Sequence, residues 1–322
     1  MAQQPTLETL EAAAELVHAA MPATPQYAWP LLAERAGCDL WVKHENHTPI
    51  GAFKVRGGLV YMDWLKRTHP DCPGVITATR GNHGQSIGFA ARRHGLHATV
   101  LVPHGNSTEK NAAMRAFGVE LIEHGHDFQA AREEADRLAA ERGLHFLGPF
   151  NSVLRQGTAT YALELLRALP ELDRVYVPIG MGSGLTGTIA ARDALGHRTE
   201  VIGVVAEQAP AYALSFAGGE VVATDTADTM ADGLACRVPD PDALEIIRAG
   251  AADIVQVSDA EIAAAMRAYF TDTHNVAEGA GAAALAGVLK DRARCRGKRV
   301  AAILCGQNVD ARLFREVLAG VA

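Results

Sequence analysis

The sequence predicts an α/β fold built on parallel sheets. Short runs rich in β-branched and apolar residues alternate with alanine-rich segments of helical length, and the runs look like strands buried in a parallel sheet. The alanine-rich segments end at glycine, which commonly terminates a helix. Strand, helix and strand in succession indicate parallel neighbours joined by right-handed crossovers. The predicted strands are 74–79, 97–103, 119–125, 174–180, 199–207 and 299–306, and the predicted helices are 83–95, 108–118, 127–143 and 184–196.

Composition, net charge and cysteine pattern exclude several classes of protein. The 322 residues are enough for a large core and one or two domains, and 48% hydrophobic with 21% charged residues is typical of a globular protein. The net charge of −7 argues against a nucleic-acid partner. No apolar run reaches the length of a membrane span, and the N-terminus lacks the pattern of a signal peptide, so we expect a cytoplasmic protein with no membrane partner. The cysteines form no CxxC pair and predict neither a disulfide framework nor a zinc site; they are Cys38, Cys72, Cys236, Cys295 and Cys305.

A glycine-rich loop joins a predicted strand to a predicted helix in "VPIGMGSGLTGTIAA", residues 177–191. Its glycines let successive N–H groups face one point, and the helix start adds its positive dipole end. Such a loop suits an anion, most naturally a phosphate. A flexible turn is the alternative, since a glycine-rich loop alone is a weak signal. The spacing matches neither the GxGxxG of dinucleotide-binding loops nor the GK[ST] of a P-loop.

A lone lysine stands among glycines in "IGAFKVRGG", residues 50–58. One interpretation makes Lys54 a reactive amine, held in a tight pocket beside the ring of Phe53. The other is a short apolar turn whose lysine faces water. The residues around it do not decide between the two.

Three further polar residues lie where predicted elements meet. Asn82, in "TATRGNHGQS" (77–86), can hold a carboxylate or an aromatic hydroxyl, although an ordinary helix start explains it equally well. Cys305 ends the last predicted strand, and a buried core cysteine is its alternative interpretation. Glu278 begins a helix of small residues, where a capping carboxylate would be unremarkable.

Taken in chain order, these segments resemble the fold type II pyridoxal-phosphate (PLP) enzymes, whose fold is that of the tryptophan synthase β-subunit, and specifically their threonine/serine dehydratase branch. The resemblance covers nearly the whole chain. It runs from "LWVKHENHTPIGAFKVRGG" through "RGNHGQS", "RQGTATYALELL", "VPIGMGSGLTGT", "ADGLA" and "AEGAGAAA" to "CGQN". One such motif is weak, whereas this many in family order form a specific pattern.

The resemblance implies two parallel-sheet domains with PLP in the cleft between them. Residues 1–50 and 147–322 would form a large cofactor-binding domain, and residues 51–146 a small inserted one. Lys54 matches the family lysine that forms a Schiff base with PLP and then acts as a base. The other implied cofactor-binding residues are Phe53 against the ring, Asn82 on the phenolic oxygen, Cys305 facing the pyridine nitrogen, and Gly180, Met181, Gly182, Ser183 and Gly184 around the phosphate.

The resemblance also implies a reaction, the α,β-elimination of water from a β-hydroxy-α-amino acid to give a 2-oxo acid and ammonia. Lys54 would remove the α-proton, and the β-hydroxyl would leave as water. A neutral Cys305 does not force protonation of the pyridine nitrogen, which favours elimination over transamination. The implied substrate-binding residues, which would hold the carboxylate, are Thr79, Arg80, Gly81 and His83.

Several positions depart from the common family pattern. Arg80 stands where a small residue, often serine, is usual, and an arginine is a poor second base for racemisation. It either strengthens carboxylate binding, selects a substrate with an extra acidic or hydrogen-bonding group, or points to solvent. Ala52 removes a hydroxyl, and segment 149–158 is about three residues shorter than usual. These changes suggest a side branch, such as the phenylserine or hydroxyectoine-pathway dehydratases, without choosing among substrates.

Other family features are absent or unassigned. Relatives carry a divalent-cation site, which Glu207 and Ala211 match, but Ala213 replaces the expected acidic ligand, so we expect no metal. The chain ends at Ala322, and we therefore expect no C-terminal regulatory domain and no feedback control by isoleucine. A homodimer is expected from the family and from common symmetry preferences.

Three alternative functions remain. β-Replacement, as in the cysteine synthases, shares the fold and the lysine, but "RGNHGQS" with His83 resembles the dehydratase form. An amino-acid racemase is disfavoured by Arg80. A binding protein that had lost catalysis would be expected to lose Lys54 or the phosphate loop, and both are present.

Overall fold

Two sheets, one of six strands and one of four, organise the computed structural model, which describes residues 4–321. The strands are β1 Gln26–Ala28, β2 Asp39–His44, β3 Gly74–Ala78, β4 His97–Val102, β5 Glu120–Glu123, β6 His145–Phe146, β7 Arg174–Pro178, β8 Glu200–Ala206, β9 Asp253–Val257 and β10 Arg299–Leu304. The larger sheet has the order β1-β2-β10-β7-β8-β9 and the smaller one β5-β4-β3-β6. All strand pairs are parallel except β1 with β2.

The predicted α/β class with parallel sheets is confirmed, and the six predicted strands are all present. Strands β3 and β7 are buried along their whole length, which explains why their sequences are mainly apolar. The sequence analysis missed β1, β2, β6 and β9. Strand β1 is a three-residue edge strand, β6 has only two residues, and β2 carries a buried lysine and histidine that interrupt its apolar run.

Helices cover the faces of both sheets, and several of them begin at residues whose side chains cap them. The side chains of Asp127 and Asn151 accept hydrogen bonds from backbone N–H groups at the starts of the sixth and seventh helices. Ser258 forms a capping box with Glu261 at the start of the eleventh. The helices are α1 Leu7–His18, α2 Pro30–Ala36, α3 Lys54–Thr68, α4 Asn82–Arg93, α5 Thr108–Ala116, α6 Phe128–Arg142, α7 Ser152–Ala168, α8 Ser183–Ala194, α9 Ala211–Gly218, α10 Pro241–Gly250, α11 Asp259–Thr273, α12 Gly279–Lys290, α13 Arg292–Cys295 and α14 Ala311–Ala319.

The smaller sheet and its helices follow one another without interruption, from the start of α3 to the end of β6. The larger sheet takes strands from both sides of this stretch. The domain limits of 1–50 with 147–322, and of 51–146, stay a prediction; residues 1–3 and 322 lie outside the described part of the chain. Among the helices of residues 4–321, none has the length and apolar character needed to cross a membrane.

A buried cluster of four charged side chains joins β2, α3 and α7. The Arg56 guanidinium donates to Glu45 at 2.7 Å and to Glu164 at 2.6 Å, and Lys43 Nζ donates to Glu164 at 2.6 Å. Burial alone would raise the pKa of Glu164, but the charges of Arg56 and Lys43 outweigh it and lower the pKa to about 2. Two positive and two negative groups thus compensate each other, and they fix the helix that begins at Lys54.

Replacing Arg56 with methionine should destabilise the protein by about 3–5 kcal/mol, because the fully buried Glu45 carboxylate would lose its charge partner. Urea unfolding measures the change. Arg67→Ala is the matched control, since Arg67 lies on the same helix in an exposed pair with Asp63 and should cost no more than about 1 kcal/mol. A loss of equal size in both variants would contradict this account of the cluster.

Candidate active site

Three loops converge on one cavity between the two sheets. They follow the carboxyl ends of β3, β7 and β10, where parallel sheets commonly place ligands. The cavity is lined by residues 79–83 from the first loop, residues 180–184 from the second and Cys305 from the third, and Phe53 and Lys54 lie among them. All thirteen residues predicted from the sequence as site residues therefore line this one cavity.

The segment before Lys54 is tied by its backbone to the end of β10. Phe53 N donates to Cys305 O at 3.0 Å, and Gln307 N donates to Gly51 O at 2.9 Å. On the other side, Ser86 Oγ donates to Lys54 O at 2.6 Å. Both sheets thus contribute to the position of Lys54, the first residue of α3.

The Lys54 side chain points into the cavity. Its Nζ donates to Ser183 Oγ at 3.1 Å and lies 5.1 Å from the centroid of the Phe53 ring. Burial lowers the pKa of Lys54 to about 8. About a tenth of this amine is therefore uncharged at pH 7, far more than for an ordinary lysine, and the uncharged form is the one that a nucleophile or a general base requires.

The glycine loop brings backbone close to its neighbours at positions where no side chain fits. Gly182 is the N-cap of α8 with φ +93°, and a Cβ there would lie 2.9 Å from Ala243 Cβ. A Cβ on Gly180 would lie 2.1 Å from the carbonyl oxygen of Gly233. The first N–H groups of α8 have no partner within the helix and line the cavity with its positive dipole end. This arrangement fits a phosphate group.

Asn82 is held between two partners from the larger sheet's side of the cavity. Its Nδ2 donates to Glu278 Oε1 at 2.5 Å, and its Oδ1 accepts from Asn308 Nδ2 at 2.8 Å. One Nδ2 hydrogen remains for a ligand. Glu278 makes no side-chain cap bond to α12, so the capping interpretation of this residue is wrong.

Sequence reasoning missed these contacts around Asn82. Glu278 lies 196 residues from Asn82 in the chain, and no local pattern links them. Lys110 Nζ lies beside the Asn82–Glu278 pair, 3.1 Å from Asp232 Oδ2 and 3.7 Å from Glu278 Oε2. Burial raises the pKa of Glu278. Burial alone would lower the pKa of Lys110, but the charges of Glu278 and Asp232 outweigh it and raise the pKa.

Two other titratable groups of the cavity are held uncharged by burial. Burial raises the pKa of the Cys305 thiol, which therefore stays protonated. Burial lowers the pKa of His83 to about 3, so its imidazole is neutral. The imidazole bonds to the Leu147 backbone, and its Nε2 has no hydrogen-bond partner within residues 4–321.

The rest of the first loop combines an internal bond with an exposed cation. Gly81 N donates to Thr79 Oγ1 at 3.0 Å, which gives the loop its turn. Arg80 is exposed at the cavity and has no hydrogen bond or ion pair with any residue from 4 to 321.

At the positions of the family's cation site, Glu207 is already paired with a lysine, and the alanine in place of the acidic ligand has no side-chain ligand atom. Glu207 accepts a hydrogen bond from Lys290 at 2.9 Å, and Ala213 is buried within α9. Within residues 4–321 no group of three or more His, Cys, Asp or Glu side chains is arranged to hold a metal ion.

Comparison with known proteins agrees with this geometry. The family model described as pyridoxal-phosphate dependent enzyme matches residues 19–306. The chain is 34% identical over 287 residues to the L-threonine ammonia-lyase of Geobacter sulfurreducens, covering 89% of this chain and 71% of that protein. It is 33% identical over 307 residues to the beta-hydroxyaspartate dehydratase of Paracoccus denitrificans, covering 95% and 97%.

A solved structure shares the fold closely. The crystal structure of a pyridoxal 5'-phosphate-dependent aspartate racemase superposes with a TM-score of 0.91 at 27% identity, covering 97% of this chain and 98% of that one. With a family model that spans most of its length, this chain belongs to the pyridoxal-phosphate dependent enzymes.

Proposed function

We propose that this chain is a PLP-dependent dehydratase that converts a β-hydroxy-α-amino acid to a 2-oxo acid and ammonia. The observation that carries the proposal is the half-buried Lys54 amine, whose pKa is lowered to about 8 where the three loops that line the cavity meet. The relatives named L-threonine ammonia-lyase and beta-hydroxyaspartate dehydratase support the same reaction class.

The residues of the cavity fit PLP. We assign the phosphate to the N–H groups of residues 180–184, because they stand at the N-terminus of α8 and line the cavity, and because Gly180 and Gly182 pack against Gly233 and Ala243 too closely for a Cβ. Asn82 keeps one amide hydrogen for the phenolic oxygen, and Phe53 offers a ring face beside the Lys54 amine. Cys305 offers the pyridine nitrogen a neutral thiol.

Different residues of the chain then serve as the base of the elimination and as the binding site of the substrate carboxylate. When bound, PLP delocalises the electron pair left at the α-carbon. Lys54 Nζ holds the cofactor between turnovers and takes the α-proton, which its lowered pKa permits near neutral pH. The loop of Thr79, Gly81 and His83, at the N-terminus of α4, binds the substrate carboxylate.

The alternative reactions fit the cavity less well. A racemase needs a second base on the opposite face of the substrate, and Arg80 at the usual position of that base holds its proton too tightly. The fold likeness to an aspartate racemase does not decide the matter, since one fold hosts several chemistries. β-Replacement uses the same lysine, and a substrate panel separates it from dehydration.

Assembly and location complete the proposal. We propose a cytoplasmic homodimer that pairs through an apolar patch of exposed side chains on α2, α11 and α14, formed by Leu31, Phe270 and Leu318; α2 and α14 both pack against α11. We retain residues 51–146 as the small inserted domain of each subunit.

Gly182→Ala should weaken PLP binding at least about 10-fold, because the new methyl group would crowd Ala243 in a left-handed backbone and shift the phosphate cradle. Equilibrium titration of cofactor-free protein with PLP measures it. Gly196→Ala is the matched control: its φ is +61°, and a Cβ there meets nothing within 4 Å. Equal affinity in the two variants would contradict the assigned phosphate site.

The reaction itself is tested by 2-oxo acid and ammonia release from serine, threonine, phenylserine and 3-hydroxyaspartate in all stereoforms. At least one should be turned over, and Lys54→Ala should lower kcat by about 10³-fold or more. Lys66→Ala, at the exposed end of the same helix, should leave kcat unchanged. No turnover of any substrate by PLP-loaded protein would reject dehydration, and turnover with added sulfide would then favour β-replacement.

The assembly is tested by light scattering of the purified protein, which should give about twice the subunit mass. Phe270→Asp should lower this mass toward that of one subunit, since it places a charge in the apolar patch. Leu214→Asp, an exposed apolar position on α9, is the control and should leave the dimer intact. A monomeric wild-type protein would refute the proposed assembly.

A further inference from the structure

We propose that Arg80 selects a substrate bearing a second carboxylate on its β-carbon, so that the preferred substrate is a four-carbon β-hydroxy diacid rather than serine, threonine or an aromatic analogue. This inference rests on the proposed dehydratase function and deepens it. It assigns Arg80 as a specificity-determining residue.

Arg80 is placed to meet a substrate. It lies two residues after the end of β3 and directly before Gly81, the N-cap of α4, so its backbone belongs to the loop assigned to the α-carboxylate. Its side chain lines the same cavity as Lys54. A substrate held by its α-carboxylate on this loop, with its α-carbon at Lys54, brings its β-substituent within the same enclosed space.

The charges of the cavity single out Arg80. Lys110 is matched by Asp232 at 3.1 Å and lies 3.7 Å from Glu278. Lys54 has a lowered pKa, and His83 is neutral at any pH of interest. Among the lining side chains of the described chain, Arg80 is thus the permanent cation without an anionic partner. The acidic lining residues do not repel a diacid strongly, because Lys110 lies beside both.

The chemistry of the guanidinium group specifies what it binds. Its planar fork donates two parallel hydrogen bonds to a carboxylate, and the group keeps its charge at every accessible pH. The α-carboxylate already has the N–H groups of the loop and the dipole of α4. A methyl or phenyl substituent on the β-carbon could not accept these two hydrogen bonds from Arg80. Phe128 and Pro149 also line the cavity, and phenylserine therefore serves as the competing apolar substrate.

Steady-state kinetics of the PLP-loaded enzyme test the assignment. Arg80→Ser should lower kcat/KM for 3-hydroxyaspartate by about 10- to 100-fold, mainly through KM, because a hydrogen bond to a charged group is lost. The values for serine and phenylserine should change less than about 3-fold. Arg80→Lys should recover part of the loss. Arg93→Ser, an exposed arginine at the other end of α4, should change none of these values.

Binding of amino acids that lack a β-hydroxyl separates this inference from the proposed reaction. Aspartate and alanine cannot lose water, and their affinities are obtained from the spectral change of the bound cofactor. Selective loss of aspartate affinity in Arg80→Ser supports the inference even if no substrate is dehydrated, an outcome that would reject the reaction alone. Equal loss for aspartate and alanine would overturn it, since Arg80 would then bind the shared α-carboxylate. No change for either would overturn it as well.

Discussion

The rest of the site depends on the buried ion pairs that the Arg56 guanidinium makes with Glu45 and Glu164. Arg56 stands two residues after Lys54 on α3 and joins Glu45, after β2, to Glu164 on α7. Four charges share this interior, and burying them is tolerable only because each finds an oppositely charged partner. Since these partners come from three separate elements, the cluster fixes the orientation of α3, and with it the direction in which the Lys54 side chain leaves the helix.

In the cavity beyond α3, burial and neighbouring charges give different side chains different charge states. Groups with no ionic partner, Lys54, His83 and Cys305, are shifted by burial toward their neutral forms. Lys110 keeps its charge because two carboxylates lie beside it. The guanidinium of Arg80 does not lose its proton, and it is the positive charge that we propose pairs with a carboxylate of the substrate. The amine chemistry and the proposed substrate choice therefore follow from the same electrostatic principle.

Much of this fold was predictable from the sequence because its strands are buried on both faces. Apolar runs such as 74–79 and 299–306 gave nearly correct strand limits, and the glycine loop and Lys54 were identified by composition and order. Strand β2 was missed because Lys43 and His44, both buried, look like surface residues in the sequence; only the fold brings Glu164 to Lys43 and Trp29 to His44. The Asn82–Glu278 pair was missed for a related reason: only the fold brings together residues so far apart in the chain.

Chemical trapping of the cofactor tests the central claim, that Lys54 is the amine that holds PLP, most directly. Borohydride reduction of the PLP-loaded protein, followed by peptide mass mapping, shows which lysine carries the cofactor. We expect the reduced cofactor on Lys54 alone, and Lys43 and Lys110 to be unmodified because each is engaged with a carboxylate. Modification of another lysine, or retention of the label in Lys54→Ala, would contradict the account.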